Sequence, residues 1–192
     1  DLFSEILLSA GYFETTQFTL DDRQRANHYT ANTARRAVLG VGTDLEDYLK
    51  SLEMEAHVSP FDEVGRSRIT QLINKTNQFN LTTRRYTYSD VAQFESDPSI
   101  VDLQIRLKDR YGDNGMICVV ICKVSNQDLI IDTWLMSCRV LNRRVEDMIL
   151  NLLIGIAKKR KLVRIIGTYY PTDRNRIVSD LYSRLGFQNQ IE

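Results

Sequence analysis

Three dense apolar runs follow one another in the second half of the chain. They cover residues 100–110, 115–124 and 129–140, and each is rich in Ile, Val and Leu. The two connections between them contain the Gly, Asn and Asp residues that form tight turns. Because short turns between strand-length apolar runs are typical of hairpins, we expect an antiparallel three-stranded meander here.

A helix and a further strand follow the meander. Apolar residues recur at three- and four-residue spacing from Val145 to Ala157, which predicts one long amphipathic helix. Its first turn is acidic and its last turn is basic, the charge order that the helix dipole favours. Residues 162–170 form the next apolar run, and we expect this strand to lie parallel to the strand at 129–140, with the helix as the crossover. A last helical face covers 177–185 and ends at a glycine.

The first part of the chain carries helix signals and then a transition from helix to strand. We predict that residues 1–58 form a small, mainly helical segment with a short strand at 53–58, and that residues 59–192 form the main domain. The first helix of that domain is expected to start at the Ser-Pro-Phe-Asp sequence of 59–62, since proline suits the first helical position. A strand from Phe79 and a helix capped by Thr87 complete the prediction of an α/β fold, a mixed sheet flanked by helices.

An unusual polar block joins the first helix of this domain to its strand. Residues 74–86 have the sequence NKTNQFNLTTRRY, in which Asn, Gln and Thr crowd together. Because such side chains hydrogen-bond to nearby backbone, one interpretation is a connector that satisfies its own polar groups. The alternative interpretation is that the block forms the wall of a polar pocket. The sequence leaves both open.

Composition and charge narrow the classes of function. The 192 residues include 25 Lys and Arg against 25 Asp and Glu, so bulk charge predicts no nucleic-acid partner. No apolar run is long enough to span a bilayer, so we expect no membrane role. The two histidines stand apart, and no metal-ligand spacing occurs. Three cysteines, an odd number within apolar runs, predict buried free thiols in a reducing cytoplasm.

Arginines gather where the long helix begins. Arg139, Asn142, Arg143 and Arg144 lie between the third apolar run and the helix that starts near Val145. A strand-to-helix turn directs free backbone N–H groups and the positive helix end towards one point, so it can hold a phosphate. Basic residues outnumber acidic ones after this point, and we therefore expect a local anion site on a neutral chain.

The element order and this turn resemble the GNAT acyltransferase fold. In that superfamily the turn has the motif Gln/Arg-x-x-Gly-x-Gly/Ala, and its backbone amides hold the pyrophosphate of coenzyme A. Residues 139–144, RVLNRR, occupy the corresponding place. Arg139 matches, Asn142 replaces the first glycine and tolerates left-handed backbone, and Arg144 replaces the small residue. The resemblance implies that these three residues and Arg143 bind the cofactor.

The closing segment is similar to the same family. Residues 175–187 resemble its last conserved helix, which implies that Asn175 contacts the cofactor and that Tyr182 protonates the departing thiolate. The structural alternative is a core tyrosine at helical spacing. The resemblance and the polar block together suggest that Asn77 or Gln78 orients the acyl carbonyl.

Four sequence blocks give a closer resemblance, to the FkbH-like proteins of haloacid-dehalogenase (HAD) subfamily IIIC. The blocks are GYFE at 11–14, KTNQFNLTTRRY at 75–86, DRYGDNG at 109–115 and WLMSCRVL at 134–141. Members have an N-terminal HAD domain and a C-terminal GNAT-like domain, and they are associated with loading a glyceryl group onto an acyl carrier protein in methoxymalonyl-type biosynthesis. The Asp-x-Asp-x-Thr/Val magnesium motif of the HAD domain is absent from this sequence.

This resemblance implies a chain that covers the tail of the HAD region and the GNAT-like domain. It implies an acyl or glyceryl thioester carried by phosphopantetheine, either on an acyl carrier protein or in acyl-coenzyme A, and a sheet opened to admit that arm. The implied partners are an acyl carrier protein, steered by Arg143, Arg144, Arg174 and Arg176, and a HAD domain of the same polypeptide. The alternatives are a non-catalytic docking module for the carrier and a coenzyme-A-dependent N-acetyltransferase.

Overall fold

A computed structural model describes residues 44–189, and the helices predicted within residues 1–43 lie outside the described residues. The chain divides into two units, Asp1–Tyr48 and Leu49–Glu192. A short helix, α1 (Leu45–Ser51), crosses this division. Within residues 44–189, no helix combines the length and the apolar character needed to cross a membrane.

The described part of the second unit is built on a five-stranded sheet. Its elements are β1 (Glu55–Ser59), α2 (Glu63–Lys75), α3 (Tyr88–Ser96), β2 (Ile100–Asp109), β3 (Gly112–Ser125), β4 (Asp128–Met136), α4 (Val145–Lys159), β5 (Arg164–Gly167) and α5 (Leu181–Arg184). Two 3-10 turns, Cys138–Val140 and Arg176–Val178, precede α4 and α5. The strands lie in sequence order, with β1 to β4 antiparallel and β4 parallel to β5.

This architecture confirms the mixed α/β fold that the sequence predicts. The meander is β2 to β4, and α4 is the crossover to the parallel strand β5. β1 pairs with β2 from Glu55 to Ser59, so the sheet begins before the boundary at residue 59 that the sequence predicted. The last predicted helix divides into a 3-10 turn and the short α5.

Both faces of the sheet are apolar, and helices cover both. On one face, α2 and α3 pack over Val119 and Ile121 of β3. On the other face, α4 and α5 pack over Cys118, Val120 and Cys122 of the same strand. Because successive side chains of a strand point to opposite faces, β3 is buried on both sides and its sequence is a continuous apolar run.

The helix starts on either side of the polar block follow their capping residues. α2 begins later than predicted, because Asp62 rather than the residue before Pro60 caps it: the Asp62 carboxylate accepts the N–H of Gly65 at 2.6 Å. The predicted cap of α3 is confirmed. The Thr87 hydroxyl accepts the N–H of Asp90 at 3.1 Å, and the Asp90 carboxylate accepts the N–H of Thr87 at 2.7 Å.

The third strand of the meander ends earlier than predicted. The Ser137 hydroxyl accepts the N–H of Arg139 at 3.4 Å, which opens a 3-10 turn and takes the chain out of the sheet. Cys138 lies in this turn and is exposed, contrary to the prediction of a buried thiol. Cys118 and Cys122 are buried as predicted, and burial raises the pKa of both thiols, so both stay neutral.

Candidate functional site

The bend between β4 and α4, residues 137–144, has the backbone of a glycine-containing turn without any glycine. Asn142 has φ of 62° and Arg144 has φ of 55°, the left-handed region that favours glycine. These are the two positions at which the GNAT motif has glycine or another small residue. Because this conformation costs a non-glycine residue about 1–2 kcal/mol, other contacts must hold the bend. Arg144 is also the N-cap of α4, and its side chain makes no capping hydrogen bond.

Arg143, between these two residues, anchors the bend from inside. Its Nη1 lies 3.0 Å from Asp109 Oδ2, and the two side chains are 5% and 0% exposed. Its Nη2 donates to the carbonyl of Arg139 at 2.9 Å. Asn114 Nδ2 donates to Asp109 Oδ2 at 3.1 Å, and Arg139 Nη2 donates to the Asn114 carbonyl at 3.2 Å. The predicted ligand Arg143 therefore supports the bend with its guanidinium.

The strands β4 and β5 pair only over four residues. Pairing ends at Ile131 and Gly167. Asp132 then has no partner on β3, which marks a β-bulge in β4. Because a bulge bends its strand, β4 parts from β5 at this point. We call the space between residues 132–136 and the chain that follows Gly167 the fork.

The polar block fills the fork, so the sheet is not open there as the sequence predicted. The Met136 N–H donates to the carbonyl of Phe79 at 3.0 Å, and the Leu81 N–H donates to the carbonyl of Trp134 at 3.2 Å. On its other side, the Leu81 carbonyl accepts the N–H of Tyr170 at 2.9 Å. Phe79 and Leu81 are 2% and 0% exposed. In this folded state the edge of β4 between Trp134 and Met136 is already paired.

Asp132 at the bulge fixes one end of the block. Its carboxylate accepts the Tyr86 hydroxyl at 2.6 Å, lies 2.7 Å from the Lys123 ammonium and pairs with Arg84. Its carbonyl accepts the Thr82 hydroxyl at 2.8 Å. Burial by itself would raise the pKa of Asp132, but the hydrogen bonds from Lys123 and Tyr86 and the nearby charges outweigh it, and the pKa is lowered. The carboxylate is therefore charged, and both of its oxygens are bound by neighbouring side chains.

Asn175 fixes the other end, and its side chain has no group left for a cofactor. Its Nδ2 donates to the carbonyls of Asn80 at 2.9 Å and Tyr170 at 3.0 Å. Its Oδ1 accepts the N–H and the hydroxyl of Thr172 at 2.7 and 2.9 Å. An amide side chain offers two N–H groups and one oxygen with two lone pairs, so all four are used. The Asn175 side chain therefore holds the block in place, and its role as a cofactor ligand stays a prediction.

The two predicted carbonyl-orienting residues lie at the start of the block. Asn77 is half-buried, and its Oδ1 accepts a hydrogen bond from Arg85. Gln78 is exposed. Of the two interpretations of the block, the hydrogen-bonded connector describes the structure. A group that could hold a metal ion, made of His, Cys, Asp or Glu, does not occur among residues 44–189.

Tyr182 lies where the two parallel strands part. Its ring packs on Gly167, at which an added Cβ would lie 2.4 Å from the ring. The ring centroids of Trp134 and Phe187 are 6.4 and 4.9 Å from that of Tyr182. Among the described residues, its buried hydroxyl finds no hydrogen-bond partner of standard geometry. Burial raises the pKa of the phenol, against the smaller opposing effect of the Thr168 backbone, so it stays protonated at neutral pH.

The sequence analysis missed the two aspartates that shape the site. Asp109 ends β2 and Asp132 interrupts the apolar run of β4, and both are buried. A charge in an apolar strand is costly unless it is paired. That signal was present in the sequence. The partners Arg143 and Arg84 lie 34 and 48 residues away along the chain and could not be assigned from it.

Comparison with known proteins identifies the fold. No protein-family model matches the chain, and the search of curated proteins found no match. Among solved structures, the ribosomal-protein-S18-alanine N-acetyltransferase from Escherichia coli is 14% identical, with 71% of this chain and 80% of that chain covered and a TM-score of 0.53. The PaiA N-acetyltransferase from Thermoplasma acidophilum, in complex with coenzyme A, is 12% identical, with 71% and 91% covered and a TM-score of 0.52.

A third solved structure was determined with a ligand that contains coenzyme A. It is AAC(6')-Iy in complex with the bisubstrate analog CoA-S-monomethyl-acetylneamine. It is 9% identical, with 72% of this chain and 94% of that chain covered and a TM-score of 0.55. The described domain therefore has the GNAT acyltransferase fold, as predicted. Similarity at this level of identity establishes the fold alone.

Proposed function

We propose that this domain transfers an acyl group from a phosphopantetheine thioester to a nucleophile. The observation that carries the proposal is the Tyr182 hydroxyl, which is buried, protonated and without a partner of standard geometry among the described residues, at the point where β4 and β5 part. The nucleophile attacks the acyl carbon, the C–S bond breaks, and the thiolate takes the Tyr182 proton. The proton released by the nucleophile restores the phenol through solvent.

The bend supplies the anion-binding part of the proposal. Asn142 and Arg144 are exposed there. Since a cation is unfavourable at the positive end of a helix, the Arg144 side chain at the start of α4 favours an anion at the same place. Arg143 is buried and cannot steer a carrier, whereas Arg174 and Arg176 are exposed, the latter 2.9 Å from Asp173. A phosphate of the donor is the anion that fits this chemistry.

Two sources could supply the thioester, and different findings favour each. The coenzyme A named in two of the solved structures of this fold favours acyl-coenzyme A and N-acyl transfer. The four FkbH-like sequence blocks favour an acyl carrier protein, a glyceryl or related acyl group and a cytoplasmic HAD domain as neighbour, with residues 1–58 as the tail of that region. The proposal of an acyl carrier protein as donor and a HAD domain as neighbour depends on these blocks alone. An Asp-x-Asp-x-Thr block upstream in the same reading frame is its direct test.

Acyl transfer measured with acetyl-coenzyme A and with an acyl carrier protein tests the proposal. We expect turnover with at least one donor, and a rate lower by roughly 10²–10⁴-fold in Tyr182→Phe, the usual loss of a general acid. The variant should fold normally, because it keeps the ring and loses a hydroxyl that has no partner of standard geometry among residues 44–189. Tyr88→Phe, at an exposed tyrosine, is the matched control. Absence of turnover with both donors, or an unchanged rate in Tyr182→Phe, overturns the proposal.

The filled fork favours a second candidate function, a non-catalytic docking module. Phe79 and Leu81 already pair with the edge of β4 that an arm would need. A docking module recognises the folded carrier and not its arm. Calorimetry with the carrier protein in its apo and phosphopantetheine forms separates the two functions. Equal affinity for both forms, without acyl turnover, supports docking, whereas tighter binding of the phosphopantetheine form supports transfer.

A further inference from the structure

We propose that residues 79–82, which we call the strap, and the arm of the thioester donor exclude each other at the edge of β4, so that the strap leaves the fork when the arm binds. This inference rests on the proposed function. It identifies a built-in competitor for the donor, and it places the control of donor binding in the loop between α2 and α3.

The strap and the arm compete because both would use the same backbone hydrogen-bonding groups of β4. Two backbone groups of β4 on the side of the fork pair with backbone of the strap: the Trp134 carbonyl is an acceptor and the Met136 N–H is a donor. The strap takes both, with the Leu81 N–H and the Phe79 carbonyl. A phosphopantetheine arm carries two amide groups, so it offers an N–H and a carbonyl of the same kind. A strand edge pairs with one partner at a time, and the arm therefore needs the place that the strap holds.

The strap is attached in a way that allows it to move as a unit. α2 ends at its C-cap Thr76 and α3 starts after its N-cap Thr87, so both helices can stay in place when the strap moves. Its strand pairing with the sheet is a single bridge between Asn80 and Leu135 instead of a continuous ladder. Thr83, directly after the strap, has φ of 53°, a conformation that is strained for a β-branched residue.

The contacts that keep the strap in the fork are identified by burial. Phe79 and Leu81 are 2% and 0% exposed, so opening the strap would remove the buried packing of these two side chains. The Thr82 hydroxyl adds a hydrogen bond of 2.8 Å to the Asp132 carbonyl. Because the closed state does not bind the arm, the apparent dissociation constant of the donor equals the intrinsic constant divided by the open fraction of the strap. Weakening the strap should therefore tighten donor binding.

Amide hydrogen exchange resolved to single residues tests the exchange of partners directly. The full chain is compared alone and saturated with coenzyme A or with pantetheine, which lacks the nucleotide. We expect the Leu81 amide to exchange at least tenfold faster with the probe bound, since it loses the Trp134 carbonyl. The Met136 amide should stay protected, since the probe replaces the Phe79 carbonyl as its acceptor. A bound probe with Leu81 equally protected overturns the inference.

Two variants give an independent readout. Leu81→Ala removes buried contact. Thr82→Val replaces the hydroxyl with a methyl group of similar size, and it serves as the second test should Leu81→Ala fail to fold. We expect each to lower the dissociation constant of the probes at least threefold. Leu72→Ala, at a leucine buried in α2, is the control for general destabilisation and should leave it unchanged or raise it. Unchanged affinity in both strap variants overturns the inference.

The outcomes also separate this inference from the proposed function. Acyl transfer by the wild type with a strap that stays closed overturns only the inference. Probes that bind the strap variants but not the wild type support it, because they show that the closed strap blocks the edge. If no variant binds coenzyme A, pantetheine or a phosphopantetheine carrier, the proposed function and the inference are both wrong.

Discussion

Arg143 and Asp109 form a buried ion pair that joins the bend before α4 to the hairpin of β2 and β3, with 3.0 Å between Nη1 and Oδ2. The two left-handed residues of the bend, Asn142 and Arg144, stand on either side of Arg143. One fixed guanidinium therefore stabilises a backbone that would otherwise favour glycine at two positions.

Removal of the buried carboxylate should loosen the bend. We expect Asp109→Asn to lower the free energy of unfolding by about 3–5 kcal/mol, since it leaves the Arg143 charge buried and unpaired. Asp113→Asn, in the same hairpin, is the control. Asp113 is half exposed and lies 3.9 Å from Arg106, so the change should cost less than about 1 kcal/mol. Urea unfolding measures both, and equal losses would contradict the role of the ion pair.

The contact between Tyr182 and Gly167 predicts opposite effects for two glycine substitutions. Gly167→Ala should destabilise the domain by about 1–3 kcal/mol, because the new methyl group meets the Tyr182 ring at 2.4 Å and the ring must move. Gly155→Ala has open space around it in α4 and should stabilise the domain by about 0.5–1 kcal/mol. Thermal unfolding of the two variants checks the signs. A neutral Gly167→Ala would show that the ring is not held against β5.

Asp132 should make stability depend on acid. Its folded-state pKa is lowered, so its contribution is present above the unfolded value of about 3.9 and is lost as the pH falls through the folded value. We expect Asp132→Asn to lose about 1.5–3 kcal/mol at pH 7, typical of hydrogen bonds to a charged group, and to approach the wild type at low pH. Asp173→Asn, at a carboxylate 94% exposed, should have no measurable effect. Urea unfolding at several pH values tests this, and a difference that does not depend on pH would contradict it.

Ionisation of Glu146 should lower the stability of the folded domain, whereas ionisation of Asp132 raises it. Burial raises its folded-state pKa, against the opposing effects of its own N–H and of Arg184. Stability therefore falls as the pH rises from the unfolded value through the folded value, and the ionised carboxylate is unfavourable above it. We expect Glu146→Gln to raise the melting temperature at pH 7, on the order of 2 °C, and not at pH 4.

A neighbouring residue provides the control for Glu146. Asp147 is exposed in the first turn of α4, where a negative charge interacts favourably with the helix dipole. Asp147→Asn should therefore lower the melting temperature slightly at pH 7. If both variants shift the melting temperature in the same direction, the effect of Glu146→Gln does not come from the burial of that carboxylate.

The elements that the sequence predicted best are those with a local signal. The long helix α4 and the meander follow from periodicity and turn residues within a few positions of each other, and the Thr87 cap depends on Asp90 three residues later. The left-handed conformation of Asn142 followed from its place in the GNAT motif and from its short polar side chain. Tyr182 was predicted at the site from the resemblance, and its role stays a prediction.

No local sequence pattern predicted that residues 79–81 would fill the fork. Phe79 and Leu81 alternate with polar residues as in a strand, and a strand was predicted from Phe79. The sequence did not show that its partners would be Trp134 and Met136. The same holds for Asn175, whose amide bonds to a carbonyl 95 residues away, and for which the resemblance implied contact with a cofactor. Side chains that bridge distant segments are the ones that motif comparison assigns to ligands most easily.

The strap has a consequence for biosynthesis of the protein. Its residues leave the ribosome directly after α2, but its partners are made much later: Thr82 bonds to a residue 50 positions on, and Asn80 to one 95 positions on. Contacts of such separation close late, after the loops between them are ordered. Until residues 132–136 have been synthesised, Phe79 and Leu81 lack their partners on β4 and are uncovered on the nascent chain. That interval is when this domain is most exposed to aggregation.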